Sequence, residues 1–160
     1  MRRLAILVPL LALSALACGT PDTDIDIVYD PCAGLAVTSD DATEAEAASI
    51  DEAVRLWNGA ANTALVREVR EDLPRIDVRF EDAPAAMRGA YEDEIGNIVV
   101  NRRIGDSWAR SVTVAHELGH AFGLLHVSGT ASLMNPGNIA IGPTADDVAR
   151  LHALWPSCSE

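Results

Sequence analysis

The chain has 160 residues, enough for one domain with a sizeable core, and carries 24 Asp and Glu against 12 basic residues, all arginine, for a net charge of −12. So acidic a chain is excluded from charge-driven binding to nucleic acid or to anionic lipid head groups. It has only 4 histidines and 3 cysteines, so the chemistry has to be sought in where those few side chains stand.

Met1-Arg2-Arg3 is a short basic region, Leu4 to Leu16 is almost wholly apolar, and small residues precede Cys18. This is the pattern of a secretory signal peptide, residues 1–17, too short and wrongly flanked for a stable membrane span. The stretch Ala15-Leu16-Ala17-Cys18-Gly19 resembles a bacterial lipobox, in which Cys18 becomes the lipid-modified N-terminus after cleavage. On that reading the protein is exported and held at a cell-envelope membrane by an N-terminal lipid that does not span it. Ordinary cleavage near Ala17, giving a secreted protein, is the alternative. Residues 18–30, rich in Asp with Thr and Pro, read as a solvated tether, and residues 31–160 as the folded domain. Cys32 and Cys158 are then an even pair in an exported chain and are expected to form a disulfide.

Thr43-x-x-Glu46 has the form of a capping box, and Ala47, Ile50, Ala53, Val54 and Trp57 follow at helical spacing. The helix they predict ends by Arg70 at the latest, with Asn58-Gly59 a point of interruption. Arg75 to Phe80 alternates as a half-buried strand does, and Glu81 to Arg88, with Pro84, reads as a loop. Gly89-Ala90-Tyr91 predicts a short strand, Glu92 to Gly96 a turn, and Asn97 to Asn101 a second strand. The acids Glu92, Asp93 and Glu94 are read as a solvated turn, with Ca²⁺ binding the weaker alternative. Ser107 or Asp106 caps the next helix, whose Trp108, Val112 and Ala115 face is expected on the sheet. Thr144 caps a last helix containing Val148, Leu151, Leu154 and Trp155, stopped by Pro156. The helix dipole accounts for Asp146 and Asp147 at its start, and His152 reads as structural.

One stretch carries the chemistry. His116-Glu117-Leu118-Gly119-His120-Ala121-Phe122-Gly123-Leu124-Leu125-His126 has the form H-E-x-x-H-x-x-G-x-x-H. His116 and His120 stand four apart, so on a helix both rings leave one face. Gly123 is free to take positive φ, end the helix and return His126 to the other two. Three neutral imidazoles leave a tetrahedral Zn²⁺ one open position for water, the arrangement of a catalytic site. Glu117, beside the first ring, suits a base acting on that water.

Met134 lies eight residues after His126, in Ser132-Leu133-Met134-Asn135-Pro136. With these two stretches the chain resembles the metzincin zinc endopeptidases, closest to the matrixin-like ones. The resemblance implies that His116, His120 and His126 hold one catalytic Zn²⁺, that Glu117 is general base and acid, and that Met134 forms a Met-turn beneath the metal. It implies an α/β fold: a small twisted, mostly parallel sheet with an antiparallel edge strand, an active-site helix, the Met-turn and a C-terminal helix. It further implies that Gly96, Asn97, Ile98, Val99, Val100 and Asn101 form that edge and bind an extended peptide by strand addition. The loop Gly137 to Gly142 would wall the pocket for the residue after the scissile bond. Cys32 could instead be an inhibitory thiol on zinc, but Asp30-Pro31-Cys32-Ala33-Gly34 lacks the matrixin switch pattern, which favours the disulfide. The partner expected is a peptide or protein substrate, acted on by a monomer. A surface lipoprotein that binds zinc and peptide without cutting is the other reading. Glu117 speaks against it, because a pure binder needs no base.

Overall fold

The computed structural model describes residues 25–159, so the signal peptide and Cys18 lie outside the described residues. The elements in chain order are β1 (Leu35–Thr38), α1 (Glu44–Ala61), β2 (Leu65–Val66), β3 (Arg75–Glu81), β4 (Gly89–Glu92), β5 (Asn97–Asn101), α2 (Ser107–Ala121) and α3 (Ala145–Leu154). A 3-10 turn, Pro156–Ser159, follows α3. No helix among the described residues is long and apolar enough to cross a membrane.

The sheet has 5 strands in the order β2-β1-β3-β5-β4. All its pairings are parallel except that of β4 with β5. This is the α/β architecture expected, with one correction that bears on the site. Gly96 to Asn101 is not the edge: β5 is bonded to β3 on one side and to β4 on the other, so its main chain has no side left for a peptide. The antiparallel edge is β4. Ile98 and Val100 face the core, and the Asn101 side chain folds the preceding loop by donating to the carbonyls of Ala83, Pro84 and Met87.

The predicted capping box starts α1: Thr43 N–H donates to the Glu46 carboxylate at 2.8 Å, and the Thr43 hydroxyl accepts from Glu46 N–H. The helix stops at Ala61, well short of Arg70, because Asn62 takes the left-handed conformation at φ 55°. Asn58 does not interrupt it. Its amide instead accepts from Leu65 N–H and donates to Leu65 C=O, stapling β2 to the helix. The strand β1 had no sequence expectation. Leu35 to Thr38 is buried on both faces, so it shows no alternation. The helix α1 packs along α2, and the buried Trp57 indole donates to the Ala115 carbonyl at 2.8 Å and meets Phe122 edge to face.

Asp106 caps α2, accepting from Ala109 N–H at 2.7 Å. Val112 and Ala115 are buried as expected, but Trp108 is not. It sits in the first turn, where its indole finds the Ala140 carbonyl in the loop after Met134. Leu154 at the end of α3 is likewise exposed. His152 is structural as expected, its ring bonded to the Ala61 carbonyl that ends α1. Cys32 and Cys158 are joined, a bridge across 126 positions.

The acidic turn is engaged locally: Glu92 pairs with Arg79, and Asp93 accepts from Asp26 N–H. Part of the expected tether is also tied to the domain. Tyr91 donates to the Ile27 carbonyl, and Tyr29 N–H donates to the Ala121 carbonyl, so ordered contacts begin before Pro31.

Candidate metal centre and active site

The helix α2 holds His116 and His120 one turn apart and ends where the sequence said it would. Gly123 takes φ +92°. Its N–H donates to the His120 carbonyl, and Leu124 N–H donates to the Gly119 carbonyl. This 5→2 and 6→1 pair is the Schellman closure, and it reverses the chain so that His126 returns to the helix face. A second tie fixes His126 from below: Val127 N–H donates to the Met134 carbonyl, and the Asn135 amide donates to the Val127 carbonyl.

The three Nε2 atoms form a nearly equilateral triangle, 3.1 Å from His116 to His126, 3.1 Å from His120 to His126 and 3.2 Å from His116 to His120. Nitrogen ligands about 2.0–2.1 Å from a tetrahedral Zn²⁺ stand about 3.3 Å apart, so the triangle fits that ion. The protonation state fits as well. His116 Nδ1 is 2.7 Å from the Leu133 carbonyl and His120 Nδ1 is 2.8 Å from the Leu124 carbonyl. A carbonyl only accepts, so each Nδ1 carries the proton and each Nε2 presents its lone pair. These rings are the one group among the described residues whose His, Cys, Asp or Glu atoms suit a metal ion.

Burial, followed by the charge a neighbouring ring would carry, pushes His116 and His120 down to about 4 from an ordinary 6.5, although the carbonyl bonds work the other way. Both rings are therefore neutral, ready ligands at neutral pH. In chelator-stripped protein the unfolded rings take protons near 6.5 and the folded ones only near 4. Between those values the unfolded state binds more protons, so stability falls as pH drops through that window. The expected slope is about 1.4 kcal/mol per pH unit per ring. Denaturant midpoints at pH 7.5, 6 and 5 check this, and a flat series would refute it.

Glu117 is buried beside His116, on the same recess. Its position depends on a glycine that sequence reasoning passed over. A Cβ on Gly89 would stand 2.8 Å from Glu117 Oε1 and 2.9 Å from Thr113 Cγ2, so only glycine lets the start of β4 lie this close to the carboxylate. A glycine opening a strand is the signal of such an approach, but it does not say what approaches. Gly89→Ala is expected to lower kcat/KM by about 10²-fold, because the carboxylate has to move by a fraction of an ångström or more. Steady-state kinetics on the folded variant measure it.

Met134 is fully buried in the predicted turn, against the active helix: a Cβ on Gly119 would meet its Sδ at 2.5 Å. The turn is braced by Asp147, which does more than complement a helix dipole. The Ser132 hydroxyl donates to Oδ1, and Leu133 N–H, Thr144 N–H and the Thr144 hydroxyl donate to Oδ2. Burial alone would raise this carboxyl, but those donors hold it below the usual range. Asp147 therefore links α3 to Leu133, whose carbonyl orients His116. No local pattern announces this, since Ser132 stands 15 positions away.

A mostly parallel sheet with one antiparallel edge, under a helix bearing a three-histidine centre, defines a metzincin-type zinc metalloprotease, a zinc metalloendopeptidase. More narrowly, the chain belongs to Metallo-peptidase family M12B, reprolysin-like, whose model matches residues 12–146. The nearness to matrixins expected from the motif is not what this match shows. Among solved structures the chain is similar to high choriolytic enzyme 1, a hatching enzyme zinc-protease from Oryzias latipes (medaka fish). The two align with a TM-score of 0.55 and 18% identity over 89% of this chain and 99% of that one, a likeness of fold. No curated protein matches the chain in sequence.

Proposed function

We propose that the chain is an exported endopeptidase in which His116, His120 and His126 hold the catalytic zinc and Glu117 moves the protons. The observation that carries this is the triangle of Nε2 atoms 3.1–3.2 Å apart, with Glu117 beside it on the same helix. Zinc, when bound, supplies a Lewis acid that polarises a carbonyl and lowers the pKa of water towards about 7. The Glu117 carboxylate takes a proton as water adds to the scissile carbonyl, then delivers it to the leaving amine nitrogen. Atoms balance: the water's hydroxyl completes the new carboxyl group, and its other hydrogen ends on the amine nitrogen as the C–N bond breaks. An extended peptide lies along β4, Gly89 to Glu92, the strand at the end of the sheet. Gly89 sets the distance between that strand and the carboxylate. Met134 supports the floor of the centre.

The purified protein should contain about one zinc per chain and cleave a peptide mixture. Chelation should abolish cleavage and added Zn²⁺ restore it. Zinc retained with no cleavage of any peptide would leave only the non-catalytic peptide-binding reading. We further propose that the mature protein begins at Cys18, lipid-modified and anchored at a membrane, after removal of residues 1–17. The cue is Leu16-Ala17-Cys18-Gly19 after an apolar run. Intact mass of the native protein tests this: a diacylglycerol-sized increment on a fragment starting at Cys18 is expected, and an unmodified N-terminus near Cys18 would mean secretion.

A further inference from the structure

The large apolar side chains that the core leaves outside are not scattered. Among the described residues six are exposed, and three of them, Val28, Leu125 and Leu154, meet around Gly123. A Cβ on Gly123 would stand 3.6 Å from Leu154 Cδ1 and 3.6 Å from Val28 Cγ1. Two adjoining grooves share Gly123, Leu125 and Leu154, with volumes of about 360 Å³ and 370 Å³. Ile25 and Trp155 help to line the first, Val127 and Ala153 the second. Neither is lined by an acid, in a chain that has 24 of them. Arg150 is the one charged lining residue, and it is paired with Asp147.

This face is held in place. Val28 lies between Ile27, whose carbonyl accepts from the Tyr91 hydroxyl at 2.7 Å, and Tyr29, whose N–H donates to the Ala121 carbonyl at 2.8 Å. Leu154 ends α3, and Leu125 stands in the return from α2 to His126. An apolar patch fixed in this way and free of acids marks a contact surface.

The chain leading into the groove indicates what covers it. Ile25, the first described residue, lines the groove, and Cys18 stands seven positions earlier, a reach of at most about 25 Å. A lipid on Cys18 therefore keeps this face close to a bilayer. We propose that Val28, Leu125 and Leu154 form a membrane-docking face that enters the boundary between head groups and acyl chains. The inference rests on the lipidated reading of Cys18 above. The anchor and the face are two weak apolar contacts that act together, because the first holds the second at the surface. His126 lines the second groove, so docking sets the metal centre beside the membrane. A net charge of −12 opposes an anionic surface, so the lipid that suits this face is zwitterionic.

The test uses the mature chain from residue 18 onward, with its lipid and, as Cys18→Ser, without it. Flotation of the unlipidated chain with phosphatidylcholine vesicles reads the face alone. Binding is expected, not weakened by salt, and about tenfold or more weaker in the Leu125→Asp, Leu154→Asp double variant. Leu154→Asp alone should weaken it with zinc content unchanged, while Val69→Asp, at an exposed apolar residue outside the groove, should leave it as it was. Stronger binding to vesicles containing phosphatidylglycerol would make the contact charge-driven and overturn the proposal. With the lipidated chain in vesicles of brominated phosphatidylcholine, Trp155 should be quenched and Trp155→Phe should remove that quenching. Quenching that survives in Trp155→Phe would mean that another face meets the membrane. Absence of both flotation and quenching would overturn the docking face and leave the anchor standing. Groove-dependent flotation, with a native N-terminus that carries no lipid, would keep the face and remove the anchor. Self-association without lipid, abolished by Leu154→Asp, would assign the groove to a second copy and overturn the proposal. A lipidated chain that stays monomeric in buffer alone would overturn it too, by placing its own acyl chains there.

Discussion

Glu117→Ala is expected to lower kcat/KM by about 10²–10⁴-fold while zinc content stays near one per chain. The two readouts separate because the residue and the ligands have different jobs. The triangle is built by His116, His120 and His126, and two of its rings are oriented by the carbonyls of Leu133 and Leu124, none of which involves the Glu117 side chain. The carboxylate is buried, packed under Gly89, and adjacent to the ring of His116 in the recess. A loss concentrated in kcat, with KM little changed, is what removal of a proton carrier looks like. Zinc lost together with activity would instead mean that Glu117 holds the centre in shape, and the mechanism proposed for it would have to be withdrawn.

The Cys32→Ser, Cys158→Ser double variant is expected to lose about 4–5 kcal/mol of stability, the chain-entropy value for a loop of this length. The bridge spans 126 positions, close to the whole described chain. An ordinary domain has only about 5–15 kcal/mol in total, so this is a large share. The consequence should reach the site. Cys158 closes the turn after α3, α3 carries Asp147, and Asp147 bonds Ser132 and Leu133 in the turn that orients His116. Zinc affinity should therefore fall along with the denaturation midpoint. Chemical denaturation with and without the bridge, followed by zinc titration, measures both. An unchanged midpoint would show that the C-terminal turn holds its place without the bond.

How much of this could be read beforehand depends on how local the cause is. The histidine centre was legible because each step is short-range: a four-residue spacing puts two rings on one helix face, and one glycine turns the chain back. The Schellman bonds at Gly123 and Leu124 and the returned His126 follow from that. Capping signals at Thr43 and Thr144, the alternation of Arg75 to Phe80 and the pairing of the last two cysteines were equally local or countable. Other features have no local sign. Leu35 to Thr38 is buried on both faces, so nothing in its pattern distinguishes a strand from any short apolar run.

The substrate edge was misplaced for a related reason. Gly89 to Glu92 and Asn97 to Asn101 are both short strands, and which one is interior depends on whether β3 chooses β5 as its partner. That choice is made by packing of Ile98 and Val100 into the core, a property of the assembled sheet. The sequence by itself determined the three-histidine cluster and the bridge, because local helix geometry, turn chemistry and cysteine count were sufficient causes, while the class of fold followed from the family resemblance that the motifs carry. Only the tertiary structure decided that β4 is the antiparallel edge, that Gly89 makes room for Glu117 and that Asp147 braces the Met134 turn. Each of these joins residues far apart in the chain, and such contacts exist only once the core has brought them together.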